Sequence, residues 1–395
     1  MIDRAIENHL VNLFDRYPVV TLTGPRQSGK TTLCRGAFPR LPYVNLENLD
    51  TREFAASDPR GFLRIHGEGA VLDEIQRVPT LLSYLQAHVD ELRRNGLFVL
   101  TGSRQLELGE AIGQSLAGRT ALLRLLPFSI EEAARLRPGM STDEMLHAGF
   151  YPRIYDQNLD PTQALGDYFE TYIERDVRAF GAIRNLSAFQ KFVRLCAGRI
   201  GQLLNVLSLG NDAGVSHTTA REWLSILEAS YVVFVNRPLL PNISKRQIKA
   251  PKLYFYDVGL ASYLLGIETP RQVLSHPLRG SLFENLVVVE ALKHRFNQGK
   301  RSNLNFYRDS AGLEADLVLS VADRLIAVEI KAGATLSSSW FESLHKVRKA
   351  LPGGTCGMIL VHDGDGDSDV VRQDVHVTHP AGFSAMLTRM ENELE

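Results

Sequence analysis

The stretch that decides the fold is Val19-Val-Thr-Leu-Thr-Gly24-Pro-Arg-Gln-Ser-Gly29-Lys30-Thr31-Thr32. Its first residues are β-branched or apolar and predict a buried strand. The segment from Gly24 to Thr31 then fits G-x-x-x-x-G-K-[ST], the pattern of a phosphate-binding loop. The two glycines let backbone N–H groups turn inward at a helix N-terminus, which makes an anion site. Lys30 can then reach the β- and γ-phosphates, and the Thr31 hydroxyl can ligate Mg²⁺.

The ligands expected at this loop are therefore ATP and Mg²⁺. The residues predicted to hold the nucleotide are consecutive in the chain: Gly24, Pro25, Arg26, Gln27, Ser28, Gly29, Lys30, Thr31 and Thr32.

Length and composition bound what the rest of the chain can be. With 395 residues, the chain exceeds one ordinary core, so two or three domains are expected. A formal net charge of −1 means that any nucleic-acid surface must be local. The N-terminus carries acidic residues and does not resemble a signal peptide, and no apolar run is long enough to span a bilayer. We expect a cytoplasmic protein without a membrane partner.

Two further predicted strands end in polar groups. Ala70-Val-Leu runs into Asp73 and Glu74, of which Asp73 would hold Mg²⁺ through its water shell and Glu74 would orient the attacking water. The strand beginning at Leu97 ends at Ser103, a candidate sensor of the γ-phosphate, with Thr101 as the alternative. The acids could instead cap the next helix, and Ser103 could mark a plain strand-to-turn transition.

The order of these elements predicts the fold of the first part of the chain. Strands alternate with helices, which implies an α/β protein with a mainly parallel, doubly wound sheet. Ligands of such sheets bind at the carboxyl ends of the strands. Lys30, Asp73, Glu74 and Ser103 all fall at those ends.

Four segments in this order, GPRQSGKTTL, VLDEIQRVPTLLSYL, FVLTGSRQ and SLAGRTALLRLLPFS, give a resemblance to a known family. The chain resembles bacterial and archaeal AAA+ ATPases that carry a C-terminal domain of unknown function, and the match covers nearly the whole chain. The resemblance implies Walker A at Gly24 to Thr31 and Walker B at Asp73 and Glu74. It also implies that Arg119 is an arginine finger offered to a neighbour in a homo-oligomer. An ion-paired surface arginine is the alternative.

The middle of the chain reads as helices followed by two strands. A long helix is expected from about 162 to 180, and its charged run Glu174-Arg175-Asp176 has no role that the sequence reveals. Helical segments and then the strands at 231–235 and 253–256 are typical of a winged helix. The loop between those strands is basic and offers DNA or RNA phosphates four cations: Lys245, Arg246, Lys249 and Lys252. A structural winged helix packed between domains is the alternative.

The C-terminal part contains a pattern of acidic and basic residues on neighbouring strands. Asp316, with Glu329-x-Lys331 on a hairpin partner, matches a PD-(D/E)xK nuclease core. Asp316 and Glu329 could hold Mg²⁺ or Mn²⁺, Glu284 could complete the metal shell, and Lys331 could activate water. Nucleic-acid binding without cleavage and a scaffold role are the alternatives.

The sequence thus predicts three parts: an AAA+ ATPase domain over 1–150, a helical and winged-helix domain over 151–265, and a restriction-endonuclease-like domain over 266–395. The expected function is ATP hydrolysis coupled to action on nucleic acid, with metal-dependent cleavage left open. The alternative is a regulatory or mechanical ATPase whose C-terminal domain is a catalytically inactive docking module.

Overall fold

The structure is a computed structural model that describes residues 2–103, 115–173, 183, 185–239, 249–351, 356–364 and 369–394. The chain divides into two compact units, within each of which most residue contacts are made. The first comprises residues 1–128, 229–231 and 296–301, and the second comprises 129–228, 232–295 and 302–395. The predicted boundaries at 150 and 265 stay predictions.

The first unit alternates strands and helices from its N-terminus. Its strands are β1 (Val19–Thr23), β2 (Tyr43–Asn45), β3 (Ala70–Asp73), β4 (Phe98–Gly102) and β5 (Thr120–Arg124). Its α-helices are Glu7–Phe14, Lys30–Ala37, Leu49–Ser57, Pro59–His66 and Leu81–Leu92, with a short 3₁₀ turn at Ile75–Arg77.

The five strands of this unit form one sheet in the order β2-β3-β4-β1-β5. Every neighbouring pair is parallel, as the alternation of strands and helices predicts. Val20 and Leu22 belong to one buried cluster and Val19 to another, because successive residues of a strand face opposite sides of the sheet. The sheet therefore has a core on both faces, and the predicted α/β class is confirmed.

The second unit begins with helices, and further helices follow along the chain. The α-helices described after residue 128 are Ile130–Ala134, Thr142–Ala148, Pro152–Asp156, Pro161–Tyr168, Leu186–Ala197, Val206–Ala213, His217–Ala229, Val258–Leu264, Pro270–Ser275, Arg279–Asn297, Ser338–Ala350 and Pro380–Leu394. The helix expected at 162–180 continues as a π-helical turn over Phe169–Ile173. Glu174, Arg175 and Asp176 lie outside the described residues.

Two short strands follow the helix His217–Ala229, whose N-terminus is capped by the Ser216 hydroxyl. They are β6 (Val233–Asn236) and β7 (Lys252–Phe255), which pair antiparallel. Leu203 makes an isolated bridge to Lys252, so β7 has strand contacts on both sides. Three helices and an antiparallel pair thus stand in the expected order.

The last part of the chain forms a mixed six-stranded sheet of order β12-β13-β11-β10-β9-β8. Its strands are β8 (Leu304–Arg308), β9 (Glu314–Val321), β10 (Arg324–Lys331), β11 (Cys356–His362), β12 (Val370–Arg372) and β13 (Val375–Thr378). β9 and β10 are antiparallel, whereas β10 and β11 are parallel. The helix Ser338–Ala350 covers one face with Phe341, Leu344 and Val347. This arrangement puts β9, β10 and that helix around one site.

Candidate functional site

The loop after β1 makes a turn that requires glycine at both ends. Gly24 has φ 152° and Gly29 has φ 90°, both in the region that favours glycine. A Cβ at Gly24 would lie 2.0 Å from the carbonyl oxygen of Leu125. Gly29 is the N-cap of the helix Lys30–Ala37, and no side chain among the described residues caps that helix. The helix N-terminus therefore keeps its partial positive charge for an anion such as phosphate.

The Lys30 ammonium lies inside this loop. It donates hydrogen bonds to the carbonyl oxygens of Gly24 (2.8 Å) and Pro25 (2.7 Å). Burial lowers its pKa to about 8, although the neighbouring carboxylates of Glu74 and Asp73 partly oppose this shift. Lys30 is thus a buried cation at the place where the sequence predicts the phosphates.

Asp73 ends β3 and is surrounded by hydroxyl groups. The Thr31 hydroxyl donates to its Oδ2 at 2.8 Å, and the Tyr43 hydroxyl donates to the same oxygen. The Thr101 hydroxyl donates to Oδ1. A carboxylate and a hydroxyl are oxygen ligands of the kind that Mg²⁺ prefers, so Thr31 and Asp73 fit the predicted magnesium site.

Glu74, the next residue, has a backbone conformation that is unusual for a side-chain-bearing residue. Its φ is 58°, in the left-handed region, which costs about 1 kcal/mol for a residue other than glycine. Its carboxylate Oε2 accepts hydrogen bonds from the Ser103 hydroxyl at 3.0 Å and from the Gln76 amide. Its backbone N–H donates to Thr101 Oγ1 at 3.3 Å. Glu74 and Ser103, chosen independently from the sequence, are therefore in direct contact.

Three residues that support this site had not been identified from the sequence. Tyr43 and Gln76 hold Asp73 and Glu74, as described above. Arg4, near the N-terminus, donates to the carbonyl oxygens of Ser28 (2.7 Å) and Leu126 (2.8 Å) and so braces the phosphate loop. No motif marks these positions, because each contact depends on the fold bringing distant segments together.

Arg119 lies apart from this site. It directly precedes Thr120, which pairs with Val19 at the amino end of β1, whereas the phosphate loop follows the carboxyl end. Five residues of strand separate the two ends, roughly 16 Å at about 3.3 Å per residue. Arg119 instead donates to Asp90 through Nε (2.6 Å) and Nη2 (2.8 Å). Arg119 thus forms the ion pair that is the alternative expectation for it, and a finger role toward a neighbouring subunit stays a prediction.

The second unit brings together the acidic and basic residues predicted in its sheet. Asp316, Glu329 and Lys331 all line one cavity of about 340 Å³, to which the helix Ser338–Ala350 contributes the lining residues Glu342 and Lys346. Lys331 Nζ lies 2.7 Å from Glu329 Oε1 and 3.8 Å from Asp316 Oδ2. The Ile330 backbone N–H donates to Asp316 Oδ2 at 2.8 Å. The predicted triad is thus assembled around Asp316.

Lys252 reaches the same cluster from β7. Its Nζ lies 2.8 Å from Glu284 Oε1, 2.7 Å from Glu314 Oε1 and 3.7 Å from Asp316 Oδ1. Only 3% of the residue is exposed, so it cannot contact nucleic-acid phosphates, and that prediction is wrong. Lys249 is exposed, as a phosphate contact must be. Lys245 and Arg246 lie outside the described residues.

The carboxylates of this cluster are held by ammonium groups. Burial raises the pKa of Glu284 and of Glu329 to about 7, and the charge of Asp316 acts in the same direction on both. In the described part of the chain, no three His, Cys, Asp or Glu side chains are arranged as a metal site. The predicted set of Asp316, Glu329 and Glu284 therefore does not fit a divalent metal in this arrangement, and the lysines are the physical reason.

A five-stranded parallel sheet, a glycine-bounded phosphate loop after β1 and two acids at the end of β3, which β4 separates from β1, together define a P-loop ATPase domain of the AAA type. Comparison with known proteins agrees. A model described as an AAA domain matches residues 16–134. Two domains of unknown function follow, DUF8612 over residues 140–271 and DUF4143 over residues 279–381.

Two mycobacterial proteins are similar over most of the chain. The uncharacterized protein Rv2008c of Mycobacterium tuberculosis is 31% identical over 331 residues, which is 82% of this chain and 72% of the relative. The uncharacterized protein Mb2031c of Mycobacterium bovis matches with the same identity and coverage. The chain belongs to the family of these proteins, and it carries an AAA-type ATPase domain over residues 16–134.

Solved structures show weaker similarity. The Walker-type ATPase PABY2304 of Pyrococcus abyssi is 16% identical and covers 67% of this chain and 96% of its own, with a TM-score of 0.45. The RuvB Holliday junction branch migration motor of Thermotoga maritima is 18% identical, and the match covers 60% of this chain and 90% of the RuvB chain, with a TM-score of 0.32. Because both scores are below 0.5, the family assignment rests on sequence.

None of the described helices has both the length and the apolar character needed to cross a bilayer.

Proposed function

We propose that this protein binds MgATP and hydrolyses it to ADP and inorganic phosphate. The observation that carries the proposal is the set of polar groups at one sheet edge: Lys30 inside the phosphate loop, Asp73 bonded to Thr31, and Glu74 at the next position. Such groups are what phosphoryl transfer to water requires, namely charge stabilisation and positioning of the nucleophile.

Each residue has a separate task in this proposal. The loop from Gly24 to Thr32 binds the phosphates, with Lys30 neutralising charge on the β- and γ-phosphates. Thr31 and Asp73 hold Mg²⁺, which supplies further neutralisation of phosphate charge. Glu74 orients a water molecule and accepts its proton, while Ser103 and Gln76 fix the direction of the Glu74 carboxylate.

Two variants test this proposal by separating binding from turnover. Lys30→Ala should lose ATP binding, measured with a fluorescent ATP analogue. Glu74→Gln should bind the analogue as the wild type does but release phosphate at least about a hundredfold more slowly, the usual contribution of a positioned base. Ser57→Ala is a matched control, because Ser57 is exposed and, among the described residues, its hydroxyl bonds only within its own helix. Wild-type turnover in Glu74→Gln would remove Glu74 from the mechanism.

A second candidate function belongs to the cluster around Asp316. Action on nucleic acid is supported by the cavity that Asp316, Glu329 and Lys331 line together, and phosphodiester cleavage with Mg²⁺ or Mn²⁺ would require a carboxylate to exchange its lysine partner for the metal. Lys331 is partly exposed there and could stabilise phosphate charge. Since the carboxylates are paired with lysines, we derive no step through a metal ion at this site.

This second proposal has its own test. Single- and double-stranded DNA and RNA are incubated with the protein in Mg²⁺ and in Mn²⁺, with and without ATP. Cleavage that Asp316→Ala and Lys331→Ala abolish, while ATP turnover persists, would support it. If no substrate is cut under any condition, the alternative of a catalytically inactive docking module for protein or nucleic acid takes its place.

Three further features remain proposals. The order of helices and strands from 186 to 255 supports a winged helix. Lys249 is the residue of its basic loop that is described and exposed, and we propose that it contacts nucleic-acid phosphates. A homo-oligomer would give Arg119 a neighbouring nucleotide to reach. We also propose a cytoplasmic location, which cell fractionation or imaging tests.

A further inference from the structure

Lys252 is a cation of the acidic cluster that does not belong to the predicted nuclease pattern. It lies in the stretch matched by DUF8612, whereas the carboxylates that it contacts lie in the stretch matched by DUF4143. Its position in β7 is fixed on both sides, by Asn236 in β6 and by the bridge to Leu203. A strand of one family segment therefore delivers a cation into the acidic cluster of the next.

The two lysines of the cluster differ in how solvent reaches them. The Lys331 side chain is 34% exposed and lines the cavity, whereas that of Lys252 is 4% exposed and does not. The ammonium of Lys252 is surrounded by Glu284, Glu314 and Asp316. Lys252 therefore acts as an internal counter-ion, and Lys331 is the lysine that a ligand in the cavity would meet.

Charge balance explains why such a counter-ion is needed. Glu284, Glu314, Asp316 and Glu329 are four carboxylates in one contact network, and burying several like charges is costly unless cations pair with them. Glu284 Oε1 is already used twice, because the Tyr254 hydroxyl donates to it at 2.6 Å in addition to Lys252. A metal bound through Glu284 Oε1 and Asp316 Oδ1 would have to take over the contacts that Lys252 now makes.

We propose that the Lys252 ammonium is the resident cation of this cluster and that a divalent metal binds to Asp316 only when Lys252 has left it. Lys252 then controls the cation content of the C-terminal site from outside that site's own sequence segment. The inference concerns the site for which cleavage is proposed above, but it is a statement about cation binding and does not require that the site cut anything.

Binding of Mn²⁺ to the full chain, measured by calorimetry without nucleotide, tests the proposal. Wild type and Lys252→Arg should show no Asp316-dependent site, whereas Lys252→Met should gain one. The affinity for Mn²⁺ should rise by at least about tenfold. Removing a unit positive charge about 4 Å from the metal lowers the electrostatic energy of the bound metal by more than the free energy that corresponds to a factor of ten, even at a surface-like dielectric constant. Asp316→Asn should abolish the gain, and Lys346→Met, at the cavity wall, should not reproduce it.

The Lys252→Met chain could fail to fold because it leaves buried carboxylates without a partner. The charge-balanced pair Lys252→Met with Glu314→Gln keeps the net charge of the cluster and the predicted metal ligands, and it should gain the same site. In the wild type, acetic anhydride labelling followed by mass spectrometry should find Lys252 protected and Lys331 modified.

Two results would overturn the proposal. One is Asp316-dependent Mn²⁺ binding in the wild type while Lys252 stays protected, since the two cations would then coexist. The other is a folded Lys252→Met chain that gains no Mn²⁺ site, which would make the contact an ordinary structural ion pair. If Lys252→Met binds Mn²⁺ but cleaves nothing, the proposed cleavage fails while the exclusion of metal by Lys252 stands.

Discussion

The Lys30 ammonium should make nucleotide affinity depend on pH in a range where few side chains titrate. Burial lowers the pKa of Lys30 to about 8. About nine-tenths of the side chain is then charged at pH 7 and about one-tenth at pH 9. If only the charged form binds the phosphates, the apparent Kd for MgATP rises about tenfold between these pH values, or about 1.4 kcal/mol. ATP phosphates are already ionised in this range and do not oppose the trend.

The groups that surround Lys30 shift its pKa or could themselves titrate between pH 7 and 9. Glu74 and Asp73 raise the pKa of Lys30 and Arg26 lowers it. Burial raises the pKa of the Tyr43 phenol and of the Cys34 thiol well above their ordinary values, so neither supplies the predicted titration. The assay is titration with a fluorescent ATP analogue at pH 7, 8 and 9 and constant ionic strength. Lys30→Arg is the control, because a guanidinium stays charged throughout. A flat wild-type profile, or an equal slope in Lys30→Arg, would refute the reasoning.

Other predictions concern the oligomer, a buried acid and the loop. Arg119→Ala subunits mixed with Lys30→Ala subunits should regain ATP turnover if Arg119 acts on a neighbour, and Asp90→Asn, which frees Arg119, should not lower turnover; no recovery in a proven mixed oligomer argues against a finger. Burial raises the pKa of Glu290 from 4.5 to about 7, so its contribution to stability is full below about pH 4.5 and is lost as pH rises through 7. Glu290→Gln should therefore gain stability over the wild type between pH 5 and 8, by up to about 3 kcal/mol, seen as a higher urea midpoint; an unchanged difference would contradict the shift. Gly24→Ala should abolish ATP binding, because its Cβ would lie 2.0 Å from the Leu125 carbonyl oxygen, whereas Gly280→Ala, whose new Cβ would have no described atom within 4 Å and whose φ is not positive, should bind normally; binding by Gly24→Ala would show that the loop can relax.

The parallel sheet of the first unit could be predicted because its signals are local. Apolar β-branched runs such as the one at Val19 mark buried strands, and the glycine spacing of the phosphate loop follows from backbone geometry. Strand ends meet at one edge of a parallel sheet, so Lys30, Asp73 and Ser103 could be grouped without knowing any contact. The structure brings these residues together at that edge.

Tertiary structure alone decided which partner each charged side chain has. Nothing in the sequence near Lys252 distinguishes it from the exposed Lys249, yet β7 carries Lys252 into a group of carboxylates that lie 32 to 64 positions further along the chain. Arg119 likewise finds Asp90, and Arg4 finds the carbonyl of Ser28, through the fold. Electrostatic interaction depends on distance in space and on burial, and neither is encoded in spacing along the chain. The sequence therefore determined which chemical groups the protein has and the sheet edge at which those of the first unit collect. The fold decided which charged side chains are already paired with an opposite charge of the same chain.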